Sequence, residues 1–261
     1  MITAGVDIGA KYVKIVLLKD KVLHRAKDVV GFDVCKSATT LFEDVLNKTG
    51  LSRVNVEKVG ATGMGKNEIY HKPPIDASST ISEVFADAAG ALYLLPSVRT
   101  VIDVGAEEGR GIRLGENGKV KDFVINERCA AGAGTFVETM ARALEVGVDD
   151  MGPLSLKSTK AIPMNAQCAV FAESEVVSLI HSRVTKEDIA RAIHDAMAGR
   201  IASMVLRVGV EEDVLLVGGV ALNSGFLPSL KKELNTEIIV PEFPEYAGAL
   251  GAALIAKTMD E

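Results

Sequence analysis

Cysteine is scarce in this chain of 261 residues: there are three, Cys35, Cys129 and Cys168. So low and odd a count excludes the disulfide scaffold that staples small secreted domains. It is also one short of the four thiolates that a lone iron–sulfur cluster or an all-cysteine zinc site requires. Long apolar runs are missing too. No stretch approaches the ~18 apolar residues needed to span a bilayer, so no membrane partner is expected. The N-terminus lacks a basic segment followed by an apolar one, which argues for a cytoplasmic location. Positive charge is in deficit: 29 Lys and Arg stand against 35 Asp and Glu, for a net charge of -6. Nucleic-acid binders usually show the opposite balance, so no nucleic acid is expected as partner. The four histidines, His24, His71, His181 and His194, show no ligand spacing and read as ordinary surface or helix residues. Met140, Met164 and Met197 read as core fillers. What remains, 48% hydrophobic and 25% charged residues, fits a soluble globular protein of one large or two modest domains; the α/β class comes from the order of elements below.

The chain repeats itself. Thr100 to Ala106 (TVIDVGA) echoes Ala4 to Ala10 (AGVDIGA) at an offset of 96. Asp103 matches Asp7, Gly105 matches Gly9, and Ala106 matches Ala10. Ile112 and Leu114 match Val16 and Leu18 in the same register. Each copy predicts strand, tight turn, strand, hairpin, then helix and a further strand ending in glycine: Lys58 to Thr62 before Gly63, and Asp213 to Val217 before Gly218-Gly219. The expected division is residues 1–96 and 97–261, the second copy carrying an insertion at about 146–183. Two helices rich in small residues mirror one another. Ser79 to Leu95 holds Ala86, Ala89, Gly90 and Ala91; Pro244 to Ala256 holds Ala247, Gly248, Gly251 and Ala252. They are expected to approach closely, as a hinge or as packed core helices.

An Asp-x-Gly-Ala turn at a strand end, present twice, suits a nucleotide held between two related lobes. Backbone N–H groups of such turns cradle phosphate, and glycine lets the backbone come close. Lys14 would meet phosphate as a point charge, and Lys11 would touch phosphate or stay solvated. Asp7 and Asp103 would position Mg²⁺ waters and the attacking water. Gly9, Ala10, Gly105 and Ala106 would line the two turns. Gly218, Gly219 and Val220 would let an adenosine lie against the backbone.

A third motif, Asn126 to Arg142 (NERCAAGAGTFVETMAR), joins Cys129 to the small-residue turn Gly132-Ala133-Gly134 and a helix starting near Thr135. N–H groups at a helix start bind anions and favour thiolate over thiol. The stretch therefore reads as a nucleotide site joined to a metal-cluster site, or as a glycine-rich helix entry with a buried thiol. Glu138, one turn into that helix, is a candidate for the nucleotide sugar or a surface carboxylate. Glu107 and Glu108 extend the second turn, either as a solvated acidic pair or with Glu107 acting at the water.

Taken in order, DIGAKYVK, TVIDVGAEE, CAAGAG and LLVGGVALN resemble the superfamily of acetate and sugar kinases, actin and heat-shock chaperone ATPases. Cys129 in NERCAAGAGTF and Cys168 in NAQCAVFAESE narrow the resemblance. They look like the BadF/BadG/BcrA/BcrD-type ATPases, which include activases of 2-hydroxyacyl-CoA dehydratases and ATP-binding subunits of benzoyl-CoA reductase. The resemblance implies a duplicated actin-like (ribonuclease H-like) fold with the nucleotide cleft between its lobes. It implies ATP and Mg²⁺ as ligands. It also implies one [4Fe–4S] cluster shared by two subunits, Cys129 and Cys168 of each giving four thiolates, with Cys35 left over. The implied partners are a second ATPase subunit, an acyl-CoA reductase or dehydratase component, and a ferredoxin-like donor. Most activases read Asp-Ile-Gly-Gly-Gln-Asp-Ser-Lys at the second turn. Here the turn reads Asp103-Val104-Gly105-Ala106-Glu107-Glu108-Gly109-Arg110, closer to the delta-type reductase subunit. The expected function is therefore an ATP-hydrolysing electron-transfer subunit of a benzoyl-CoA reductase. A homodimeric dehydratase activase is the alternative, and a small-molecule kinase or a non-catalytic scaffold are the readings of other classes.

Overall fold

The apolar runs around the two Asp-x-Gly-Ala motifs form the first strands of two five-stranded sheets. The computed structural model describes residues 1–126, 134–164 and 169–259. In the first sheet β1 (Thr3–Ile8) pairs antiparallel with β2 (Tyr12–Leu18), which pairs antiparallel with β3 (Val22–Val29). On its other side β1 runs parallel to β4 (Lys58–Thr62), which pairs with the short β5 (Ser79–Thr80). The second sheet repeats this order. Here β6 (Thr100–Val104) pairs antiparallel with β7 (Gly109–Leu114), and β8 (Val120–Asn126) follows at the edge. On the other side β6 runs parallel to β9 (Val214–Val217), which pairs with β10 (Ile238–Ile239).

Helix α1 (Val34–Thr49) starts where the Asp33 side chain accepts a hydrogen bond from the Lys36 amide, and stops at Gly50 in the left-handed conformation. Such caps satisfy N–H and C=O groups that helix ends leave unpaired. Its buried stripe, Leu41, Phe42, Val45 and Leu46, packs with Val13, Ile15 and Leu17 of β2. The alternate residues of β2, Val16 and Leu18, face the other way and pack on the last helix, α8 (Ala247–Thr258). Alternation along a strand is what places a helix on each face. Helix α2 (Glu83–Leu94) begins four residues later than the sequence pattern predicts, because Ser79 and Thr80 are taken up in β5.

After β8 come α3 (Gly134–Ala143), the short α4 (Met151–Ser155), α5 (Ala169–His181) and the long α6 (Lys186–Val205). The Thr185 side chain accepts from the Asp188 amide and caps α6. Met140 and Met197 are fully buried among Ile102, Val104, Phe136 and Ile193, and Met164 packs against that core. Helix α7 (Phe226–Leu234) follows a separate 3-10 turn at Gly219–Leu222.

The described residues fall into two compact units. Unit 1 comprises 1–98, 114–120 and the C-terminal segment from Glu245; unit 2 comprises 99–113 and 121–244. A division at 96/97 follows the duplication, whereas packing counts α8 with unit 1. The small residues explain why. A Cβ on Gly251 would lie 1.7 Å from the Ala86 carbonyl oxygen, and one on Gly90 would lie 2.1 Å from that of Ala247. Helices α2 and α8 therefore approach backbone to backbone, the close approach their composition predicts.

Candidate functional site

Each unit builds the same turn. In unit 1, the Gly9 amide donates to the Tyr12 carbonyl at 3.0 Å, closing the link between β1 and β2. In unit 2, the Gly105 amide donates to the Glu108 carbonyl at 2.9 Å, closing the link between β6 and β7. A left-handed glycine seals each turn from the parallel neighbour strand: Gly63 at φ +85° and Gly218 at φ +88°. A Cβ on Gly63 would lie 2.4 Å from the Ile8 carbonyl oxygen and 2.5 Å from Asp7 Oδ1. On Gly218 it would lie 2.4 Å from both the Val104 carbonyl oxygen and Asp103 Oδ1. No L side chain fits either place, so the glycines let β4 and β9 end hard against the aspartates.

The aspartates face cations across the ladder. Asp7 stands opposite Lys14 on β2, and Lys14 Nζ donates to Asp7 Oδ2 at 2.8 Å. Asp103 stands opposite Arg110 on β7, and Arg110 Nη1 donates to Asp103 Oδ2 at 2.6 Å. The second guanidinium nitrogen of Arg110 donates to Glu108 Oε2 at 2.6 Å. Glu108 is thus ion-paired and half-buried, and the acidic turn is solvated only at Glu107, which is exposed. Ala10 is exposed beside Gly9, and Lys11 Nζ lies 5.6 Å above the Tyr12 ring.

The start of α3 is stitched to the second turn. The Gly134 amide donates to the Gly105 carbonyl and the Thr135 amide to that of Ala106, each at 2.9 Å, and the Thr135 hydroxyl also donates to Ala106. Val220 closes the group, its side chain 3.2 Å from where a Gly134 Cβ would be. Gly105, Ala106, Gly134, Gly218 and Val220 are thereby brought together in unit 2. Gly219 is exposed with open space where its Cβ would be, and Glu138 is half-buried one turn further along α3. Gly132, Ala133 and both proposed cluster ligands, Cys129 and Cys168, lie outside the described residues.

Residue type alone does not single out Arg110. A signal for it is nonetheless present, since it stands 96 positions after Lys14, at the offset of the repeat. His194 is a correction to the expected run of ordinary histidines. It is fully buried on α6, its Nδ1 donating to the Ala190 carbonyl at 2.8 Å, and burial pushes its pKa down to about 4. Among the described residues, no group of three or more His, Cys, Asp or Glu side chains could hold a metal ion. Any cluster therefore depends on the cysteines. Cys129 precedes α3 and Cys168 directly precedes α5, and these two helices pack against each other. Two soft thiolates per chain, each on the way into a helix N-terminus, are a donor set that fits half of an iron–sulfur site.

Residues 4–256 match the BadF/BadG/BcrA/BcrD ATPase family. A 2-hydroxyisocaproyl-CoA dehydratase activator of Clostridioides difficile is 40% identical over 98% of this chain and 95% of its own. One of the benzoyl-CoA reductase subunits of Thauera aromatica is 36% identical over 97% of this chain and 92% of its own. The solved structure of the activator of the 2-hydroxyisocaproyl-CoA dehydratase from Clostridium difficile, with bound ADPNP, gives a TM-score of 0.91 at 39% identity. It covers 98% of this chain and 94% of that one. A glucokinase of Streptomyces griseus shares the fold alone, with a TM-score of 0.65 at 14% identity, covering 99% of this chain and all of its own. The architecture is therefore the duplicated α/β fold of actin-like ATPases and sugar kinases.

Proposed function

The chain belongs to the BadF/BadG/BcrA/BcrD ATPase family, and on that premise we propose that it is the ATP-hydrolysing activator of a 2-hydroxyacyl-CoA dehydratase-type partner. The observation that carries the reading is the twice-built turn. A carboxylate, a cation and a left-handed glycine meet at each, with the same backbone hydrogen bond at 3.0 and 2.9 Å. The similarity to a dehydratase activator at 40% identity favours this acceptor.

The Gly9–Ala10–Lys11 and Gly105–Ala106 turns offer backbone N–H groups to the phosphates. Lys14 leaves Asp7 to meet phosphate charge, and its ammonium makes the exchange easily because it is a compact point charge on a flexible stem. Asp7, so released, and Asp103 would accept hydrogen bonds from the attacking water and from waters of a Mg²⁺ ion, which would supply charge neutralisation to the phosphates. Glu107 stands at the second turn as a further acceptor for that water. Gly134 and the Gly218-Gly219-Val220 bend receive the nucleoside, with Glu138 toward the sugar. Cys129 and Cys168 of each of two chains would hold a [4Fe–4S] cluster, which supplies a one-electron centre when bound. Helix α3 is hydrogen-bonded to the Gly105–Ala106 turn at one end of this arrangement. Phosphate chemistry at the turn would thereby act on the start of α3, the helix that follows Cys129 in the sequence. The electron donor is a ferredoxin-like protein, and the site of action is the cytoplasm.

The second reading keeps the chemistry and changes the partner. The Ala106-Glu107-Glu108-Gly109 form of the turn favours an ATPase subunit of a benzoyl-CoA reductase, paired with a homologous subunit.

Oxygen-free purification decides between these. The activator reading expects a brown homodimer with about two irons per chain, losing its iron in Cys129→Ala, that hydrolyses ATP and activates a 2-hydroxyacyl-CoA dehydratase. Co-purification with a distinct homologous ATPase subunit and transfer of electrons to an aromatic acyl-CoA would establish the second reading. Iron-free protein that passes labelled γ-phosphate to a metabolite would sink both.

A further inference from the structure

The two turns share a backbone but differ in how their cation is held. In unit 1 the position after the turn is Tyr12, and Lys14 pairs with Asp7 while both side chains keep some access to solvent, 17% and 13%. In unit 2 the matching position is Glu108. It takes the second arm of the Arg110 guanidinium at 2.6 Å, while the first arm lies 2.6 Å from Asp103. Arg110 retains only 8% of its side-chain exposure. A planar guanidinium satisfies two carboxylates at once in a fixed fork, which an ammonium does not do. Detaching Arg110 would take a shared guanidinium from two neighbouring carboxylates at once, whereas Lys14 donates to Asp7 through a single ammonium contact.

We propose that Glu108 is a positioning residue that locks Arg110 onto Asp103 and so withholds this cation from the nucleotide phosphates. The inference rests on the nucleotide reading of the two turns above. Arg110 occupies the same register opposite Asp103 that Lys14 occupies opposite Asp7. By that equivalence it is the cation beside the phosphate-binding turn of unit 2, as Lys14 is beside that of unit 1, and Glu108 keeps it from turning to phosphate. The consequence is a division of labour: a mobile cation in unit 1 answers to phosphate, while a clamped one in unit 2 fixes the orientation of Asp103.

Equilibrium binding of ADP with Mg²⁺, measured by calorimetry on the full-length protein, tests this. Glu108→Ala is expected to bind ADP about tenfold more tightly than the unmodified protein, the size of one new charge-assisted hydrogen bond. The gain must vanish in the Glu108→Ala/Arg110→Ala double variant. Glu108→Gln, which keeps one acceptor for Arg110, should fall between the two and serves if the alanine variant does not fold. A tightening is diagnostic, since a merely damaged turn would bind more weakly. Unchanged or weakened ADP binding in folded Glu108 variants overturns the proposal while leaving the nucleotide reading intact. Failure of the unmodified protein to bind ADP or ATP at all overturns both.

Discussion

In unit 1 the Asp7 carboxylate meets an ammonium on a partly open strand face; in unit 2 the Asp103 carboxylate meets a buried guanidinium that a second acid also holds. The backbone beneath them is the same. The turn hydrogen bond, the antiparallel register and the left-handed glycine all recur. Backbone sterics at a tight turn admit few solutions, so two copies of the turn keep one geometry. Side chains on that geometry are less constrained, and there the copies have specialised. The two units also differ in how their helices meet. Unit 1 has the backbone-to-backbone crossing of α2 and α8, while unit 2 surrounds its sheet with α3, α5 and α6 packed through full-sized side chains.

The harshest way to break this comparison is at the crossing. Gly251→Ala sets a methyl 1.7 Å from a backbone oxygen that cannot move aside. It should cost about 3 kcal/mol or more, seen in urea unfolding as loss of most of the stability. The corresponding change in unit 2 sharpens the contrast with opposite sign. Gly199→Ala lies on α6, where the added methyl meets only a Glu233 side-chain oxygen at 3.8 Å. It should stabilise by roughly 0.5–1 kcal/mol, through helix propensity.

Between these extremes lie the cations. Arg110→Ala takes a shared guanidinium from the buried Asp103 and the half-buried Glu108 and should destabilise by about 2–4 kcal/mol. Lys14→Ala should cost less, about 1–2 kcal/mol, because it removes the hydrogen bond to one carboxylate rather than those to two. It should weaken ATP binding more than its stability loss alone would suggest. Equal stability losses in the two variants would show that the structural difference between the pairs carries no energy.

One acid-sensitive group lies in unit 2. Burial pushes His194 from 6.5 down to about 4. Between those values the unfolded chain binds a proton that the folded state does not. Stability is therefore full above about pH 6.5 and is lost as the pH falls toward 4, by at most roughly 3 kcal/mol. His194→Gln should flatten this part of the urea-midpoint profile against pH. A profile as steep as before would place the acid sensitivity elsewhere.

Much of the site was legible in the chain. Asp7, Gly9, Asp103 and Gly105 stand in a short pattern whose constraint is local, and the strand-ending glycines Gly63 and Gly218 follow from the same repeat. The small residues of α2 and α8 foretold a close approach. Other features were not visible. The roles of Arg110 and Glu108 depend on a cross-strand register and a side-chain fork, although the 96-residue offset pointed to Arg110. His194 looked like a surface or helix residue because one turn of helix says little about what lies over it. The acceptor is not legible from the turn alone: its acidic form points toward an aromatic reductase subunit, whereas the whole chain is more similar to a dehydratase activator, at 40% against 36% identity.

The sequence by itself determined the two Asp-x-Gly turns and the glycine-ended strands, because each is a pattern among residues a few positions apart, and the duplication, because the same pattern recurs at one offset. Only the tertiary structure decided that the last helix packs with the first sheet, that Arg110 bridges two acids, and that His194 is sealed from water. Burial and ion pairing are set by what distant segments bring to a residue, and no local pattern encodes that.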